Sequence, residues 1–187
     1  MAEVGARTIL IKASCKKVTM SIPVVAVIGK SGAGKTTLIE KLVVELKHRY
    51  YQVSTLEHHS HPGFDIDVPG KDSWRFAQAG SDYVIIASPD KIASYRLIDC
   101  ELSLDEIAAG VSGVDIILVE GYSQSGKRTV EILRAANSKE LIGNREQWVA
   151  LVSDFPIDMD VPQFDLNDID GITNLIEKEF LRSQFRK

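Results

Sequence analysis

Two hydrophobic rhythms alternate along the chain. Residues 23–28, PVVAVI, form a short continuous apolar run closed by Gly29, the pattern of a strand buried on both faces, as in a parallel sheet. From Lys35 to Tyr50 the period lengthens. Leu38, Leu42 and Leu46 recur every four residues, Ile39, Val43 and Tyr50 widen the stripe, and Glu40, Lys41, Lys47 and Arg49 fall elsewhere, which predicts an amphipathic helix. Lys41–Glu45 and Glu45–Arg49 stand four apart on it, each pair worth about a few tenths of a kcal/mol.

The alternation continues. QVSTLE (52–57) reads as a second strand, and Asp72 and Ser73 stand where they would cap a short helix, WRFAQA, that Gly80 ends. DYVIIAS (82–88) reads as another buried strand stopped by Pro89, and Ser103 with Glu106 forms a capping box opening LDEIAAGV. VDIILVEG (114–121), TVEILRA and WVALVSD supply three more strand patterns. Asp170 is placed to cap a last helix, GITNLIEKEFLRSQ, with Ile172, Leu175, Ile176 and Phe180 on one side. Strands alternating with helices predict an α/β fold: an open, mostly parallel sheet covered by helices in three layers. No repeat or linker divides it, so residues 20–187 read as a single nucleotide-binding domain. Residues 1–19 read as an extension, disordered or added ahead of a start at Met20.

The chemistry that changes this picture sits between the first strand and the first helix. GKSGAGKT, Gly29 to Thr36, matches G-x-x-x-x-G-K-[ST] in its strand–loop–helix setting. Gly29, Gly32 and Gly34 permit backbone angles closed to other residues, so successive N–H groups of Lys30, Ser31, Ala33 and their neighbours can curl around a diphosphate at a helix N-terminus. Lys35 would reach the β- and γ-phosphates, Thr36 would ligate Mg²⁺ and Thr37 would bond the α-phosphate. A P-loop protein also needs an acid at the end of a neighbouring strand; Glu120, closing VDIILVEG, fits the Mg²⁺ role better than Asp115, which opens that strand. Lys30 stands where P-loops of dimeric ATPases and GTPases carry a lysine that reaches the partner's nucleotide, although Ser31 replaces their usual glycine; the alternative is an exposed lysine.

Composition narrows the partners. The 187 residues carry a formal charge of -4 and are 44% hydrophobic. There is thus no global attraction to nucleic acid or to an anionic membrane, and no apolar run reaches the ~18 residues of a membrane span. Cys15 and Cys100 lie far apart, without zinc or redox spacing. The reading is a cytoplasmic protein.

One stretch resists this scheme. LEHHSHPGFDIDVPGKDSW, residues 56–74, holds three of the chain's four histidines and four carboxylates. Following the second strand, it should emerge on the P-loop edge of the sheet. His58, His59 and His61 lack the regular spacing of a transition-metal site. Asp65 and Asp67 could hold metal-bound waters, Asp65 being a weaker Mg²⁺ candidate, and Lys71 and Arg75 could bind an anion; a solvated polar loop is the alternative.

Taken with the P-loop, the segment FDIDVPGKDSW, then ASP, a strand ending LVEG, and a strand ending Ser-Asp before DLNDIDG make residues 22–182 resemble the molybdopterin-guanine dinucleotide biosynthesis adaptor family, MobB. The resemblance implies a homodimeric GTP-binding protein with a weak Mg²⁺-dependent GTPase. It implies a role as accessory to the guanylyltransferase that joins GMP to molybdopterin. His58, His59, Asp65, Asp67, Lys71 and Asp72 would then form a surface facing the pterin or a partner. Three features depart from the family: the extra histidines, the loop within VEGYSQSGKRTVEILRA, and residues 1–19.

For the base, Asp154 at the end of WVALVSD is placed to accept both N–H groups of guanine. Leu151 and Val152 stand where the N-K-x-D pattern has Asn and Lys, and an alternative is that Asp154 caps the turn at Pro156. Two other functions share the motif. A small-molecule kinase would use Asp65 or Asp67 as base and Arg128 or Arg134 in a lid; a metal-delivery GTPase would use His58, His59 and His61.

Overall fold

The computed structural model describes residues 21–59, 61 and 63–182. The extension at 1–19, with Cys15, lies outside the described residues. Six strands build one sheet in the order β2-β5-β1-β6-β7-β8, every neighbouring pair parallel. They are β1 (Val24–Ile28), β2 (Val53–Glu57), β5 (Ile116–Glu120), β6 (Arg128–Leu133), β7 (Trp148–Ser153) and β8 (Gln163–Phe164).

The α/β/α layering follows from the continuous apolar runs. Val25 and Val27 of β1 and Ile116 and Leu118 of β5 join one core with Leu38, Leu42 and Leu46 of α1 (Lys35–His48) and with Ile172 and Ile176 of α4 (Ile169–Ile176). The intervening Ala26, Ile28, Ile117 and Val119 face the other way and pack with Leu104 of α3 (Leu104–Ala109). Adjacent residues of one strand are therefore buried in different layers.

Part of that second face is covered by a loop rather than a helix. Where the 142–148 connection crosses the sheet, Glu131 of β6 is fully buried and accepts from Ile142 N–H at 2.6 Å, Gly143 N–H at 3.0 Å and the Trp148 indole N–H at 2.8 Å. A loop over a sheet leaves its amides without a ladder, and an acceptor from the sheet satisfies them.

Several expected details are corrected. DYVIIAS does not enter the main sheet. Its strand β3 (Tyr83–Ala87) pairs antiparallel with β4 (Ile92–Arg96) in a separate two-stranded sheet, and of β3 only Val84 is buried. A second strand so close in sequence made the hairpin partner local, and β4 carried no alternation that announced it. Lys71, not Asp72 or Ser73, holds the cap position of α2 (Asp72–Gln78), because the Val68–Lys71 turn already delivers the chain in extended geometry. The last helix begins earlier, with Asp168 rather than Asp170 accepting from Gly171 N–H at 3.0 Å, and it continues as a π-helical turn over Glu177–Leu181. Asp170 instead pairs with Arg49 at 3.3 Å. Tyr50 leaves the helix stripe: it takes a left-handed φ of 66° just past α1 and is 91% exposed. Lys41 bonds Asn167 at 3.1 Å rather than Glu45, whereas the Glu45–Arg49 pair forms at 2.6 Å. The Ser103–Glu106 capping box is present. No helix among the described residues is long and apolar enough to cross a membrane.

Replacing Glu131 with Ala should lower unfolding free energy by about 3 kcal/mol, since three donors lose a charged acceptor in a buried setting. A urea titration should show this as an earlier midpoint at unchanged slope.

Candidate functional site

Because the strands run parallel, their carboxyl ends share one edge, and the loops leaving them carry the candidate residues. The P-loop leaves β1. Gly29 takes a φ of 148°, and a Cβ there would stand 2.4 Å from the Ile132 carbonyl oxygen, so only glycine passes beside the end of β6. Ala33 N–H bonds back to the Lys30 carbonyl at 3.1 Å, Ala33 is buried, and Gly34 (φ 100°) enters α1 in left-handed geometry. No side chain caps α1 and no acid lies in its first turn. The opening amides of this 14-residue helix are thus left for an anion.

Next to the loop, the Thr36 hydroxyl donates to Glu120 Oε2 at 2.8 Å, while Lys35 Nζ lies 3.9 Å from Glu120 Oε1 and 3.4 Å from the Lys30 carbonyl. A hydroxyl and a strand-end carboxylate, both oxygen donors, are the partial set that Mg²⁺ uses when phosphates and waters complete its shell. The residues fit that ion: Thr36 and Glu120 would hold it, and it would supply neutralisation of phosphate charge. Asp115 accepts from Gln52 N–H at 2.7 Å, a structural role at the opposite edge. Thr37 is exposed at the start of α1. Lys30 pairs with Glu140 of the same chain at 2.9 Å.

Asp154 follows β7 on the same edge. Its Oδ1 accepts from Ala135 N–H at 2.8 Å, and it borders an open hollow of about 340 Å³ shared with Phe155, Pro156, Phe164 and Asp165. At the Pro156 turn, where Asp154 was the alternative cap, it is the Ser153 hydroxyl that bonds the turn, donating to the Phe155 carbonyl at 2.5 Å.

The histidine stretch divides. His58 stays at the edge: its N–H bonds the Glu120 carbonyl at 3.1 Å, its ring stacks 4.1 Å from Tyr122, and Nε2 meets Glu101 at 2.9 Å. His59 turns to the His61 carbonyl at 2.9 Å and toward Phe64. Among the described residues no three His, Cys, Asp or Glu side chains gather to hold a metal. Asp65 is exposed, and no hydrogen bond among the described residues ties it to Thr36 or Glu120. Asp67 is committed to the fold, accepting from Val68 N–H at 2.8 Å, the Ser73 hydroxyl at 3.0 Å and the Tyr95 hydroxyl at 2.9 Å. Desolvation pushes its carboxyl up, but those donors more than offset it and hold it below the ordinary Asp value. Lys71 and Asp72 are exposed, the latter 3.4 Å from Arg75.

Arg134, a lid candidate from the sequence, and Asn137, which no motif marks, both meet the cradle. Arg134 Nε donates to the Ala33 carbonyl at 3.1 Å, and the Asn137 amide donates to the Ser31 carbonyl at 2.9 Å. Arg128 starts β6 at the other edge, near Glu179 and Phe180, so the two arginines do not form one lid. The signal for Arg134 was its place just past a strand whose carboxyl end abuts the P-loop; Asn137 had none.

Comparison with known proteins identifies the family. Residues 24–154 match the family described as molybdopterin guanine dinucleotide synthesis protein B, MobB. The chain is 37% identical to a molybdopterin-guanine dinucleotide biosynthesis adapter protein of Haemophilus influenzae, over 83% of this chain and 88% of that one. It is 33% identical to the adapter protein of Escherichia coli, over 83% and 91%. A crystal structure of molybdopterin-guanine biosynthesis protein B superposes with a TM-score of 0.66 at 28% identity, covering 83% of this chain and 98% of the other. Bacillus subtilis MobB shares the fold at a TM-score of 0.67 and 23% identity, over 82% and 97%.

Changing Glu120 to Gln should leave the fold intact and weaken Mg²⁺-dependent nucleotide binding by about tenfold. Calorimetric titration with and without Mg²⁺ should show the loss only when the ion is present.

Proposed function

The chain belongs to the molybdopterin guanine dinucleotide synthesis protein B family, and from that premise we propose that it binds Mg²⁺–GTP as the accessory of the guanylyltransferase that joins GMP to molybdopterin. The observation that carries the reading is the shared carboxyl edge. There a P-loop, the Thr36–Glu120 contact of 2.8 Å and an exposed carboxylate at Asp154 line up over the ends of β1, β5 and β7, with β6 between β1 and β7. Guanine presents two N–H groups that a carboxylate accepts together, and adenine would leave that carboxylate unpaired. The Oδ2 of Asp154, beside a hollow flanked by Phe155 and Phe164, is available for this pairing.

Hydrolysis should be slow. The arginine at the cradle, Arg134, is committed to a P-loop carbonyl, and a free arginine finger contributes about 10³- to 10⁵-fold. His58, His59, Asp65, Lys71 and Asp72 remain the exposed or half-exposed groups of the adjoining loop, suited to an anionic pterin phosphate or to the transferase.

A homodimer is the second element of the proposal. Tyr83, Ile85, Ala87 and Ile92 share one face of the β3–β4 hairpin, and that face is exposed, Ile92 to 74%. Phe76, Leu97 and Ile98 nearby are exposed as well. Two-stranded sheets are marginal alone and leave pairing edges on both sides. A second copy would supply both an apolar face and a strand.

The purified protein should bind GTP in preference to ATP, and Lys35→Ala should lose nucleotide. Asp154→Asn should shift preference from GTP toward XTP; an unchanged GTP-to-XTP ratio would remove the guanine assignment. For the dimer, sedimentation should give twice the chain mass for the natural protein and a monomer for Ile85→Asp. A monomeric natural protein ends that part of the reading.

A further inference from the structure

The guanine site lacks two side chains where they are usually sought. Leu151 and Val152, three and two residues ahead of Asp154, are fully buried in the sheet core and reach no ligand. An asparagine and a cation nevertheless stand at the cradle, carried by the neighbouring strand. Past Leu133 the chain turns tightly, with the N–H groups of Asn137 and Ser138 both donating to the Arg134 carbonyl at 2.9 Å. This single turn makes three outward bonds. Arg134 Nε donates to the Ala33 carbonyl at 3.1 Å, the Asn137 amide to the Ser31 carbonyl at 2.9 Å, and Ala135 N–H to Asp154 Oδ1 at 2.8 Å. Arg134 Nη2 also packs 3.3 Å from where a Cβ on Gly34 would stand.

We propose that the Arg134–Asn137 turn is the positioning element of the nucleotide site, setting the distance between the base-reading carboxylate and the phosphate-binding amides. The inference rests on the guanine-nucleotide reading above. A loop whose N–H groups converge on an anion must turn carbonyls outward, and those carbonyls need donors to hold that orientation. Arg134 and Asn137 are those donors, one of them charged and therefore the stronger. Because the same four residues also hold Asp154, the carboxylate and the cradle cannot shift independently. The turn thereby does from β6 what Leu151 and Val152 are too deeply buried to do from β7.

The test uses the intact chain with Mg²⁺–GTP, Mg²⁺–GDP and Mg²⁺–XTP, titrated into the natural protein, Arg134→Ala, Arg134→Lys and Asn137→Ala, with thermal melts to check folding. Asp154→Asn is made in the natural and Arg134→Ala backgrounds. Arg134→Ala should weaken GTP and GDP alike by about tenfold or more. Arg134→Lys should recover only part, since lysine keeps the charge without the fork. The gain of xanthine binding from Asp154→Asn should shrink when Arg134 is absent, a coupling that independent sites do not show. Natural-level binding by a folded Arg134→Ala, or simple additivity with Asp154→Asn, overturns the proposal. If the natural protein holds no guanine nucleotide, the functional reading fails, and hydrogen exchange of residues 29–36 without ligand then decides the bracing. Faster exchange in Arg134→Ala upholds it, and unchanged exchange removes it.

Discussion

A strand buried on both faces can carry chemistry only at its ends. In this sheet β1 and β5 send alternate side chains into two apolar layers and β7 is buried from Val149 to Ser153, where an uncompensated polar group would cost about 1–3 kcal/mol. Parallel pairing then brings all the carboxyl ends to one edge. That constraint explains why the P-loop, Glu120, Arg134 and Asp154, spread over 126 residues of sequence from Gly29 to Asp154, arrive together. It also explains Asp115: at the amino end of β5 it ties Gln52 and is far along the strand from the cradle.

Glu131 is the exception that supports the rule. It faces inward, yet the donors it meets are two amides of the loop that replaces a helix over that part of the sheet and the Trp148 indole where that loop enters β7. Gly143 is required there, because a Cβ would come within 2.5 Å of the Trp148 indole nitrogen and 2.7 Å of Glu131 itself. The same connection holds Arg134 and Asn137 against the P-loop at its start and Glu140 against Lys30 in its middle. One buried carboxylate thus fixes the end of a segment whose beginning shapes the cradle. The exposed Lys30–Glu140 pair adds little by itself, since such pairs are worth about 0–1 kcal/mol.

The β1–P-loop–α1 unit was legible because every local signal agreed: a run of strand length, glycines where the backbone needs positive φ, and a leucine stripe of helical period. The places of Glu120 and Asp154 at the carboxyl edge followed from the strand-end rule. The failures have physical causes. DYVIIAS reads the same whether a strand is buried inside one molecule or presents an apolar face on the outside, since apolarity does not say what covers it. Strand β8 has two residues, too few for any period. At α4 the sequence pointed to Asp170 as the cap, but the helix opens at Ile169, so Asp168 caps it and Asp170 lies in its first turn, paired with Arg49. Asn137 lay in a turn without pattern, so nothing local distinguished it.

The acidic, histidine-bearing stretch gains meaning from its two ends rather than from its composition. At one end His58 is fixed to the Glu120 backbone and lies against Tyr122, beside the proposed metal-binding acid. At the other, Asp67 accepts from Tyr95 of the β3–β4 hairpin, on the face opposite Ile85 and Ile92. Between them Phe64 and Ile66 remain exposed. The segment therefore spans from the strand edge that carries the P-loop to the hairpin whose apolar face awaits cover. Of its histidines His58 serves the strand edge while His59 bonds the His61 carbonyl within the loop, so among the described residues they do not converge on a metal. Asp67 in particular serves the hairpin end, where its three donors make ionisation favourable and its side chain unavailable to a ligand.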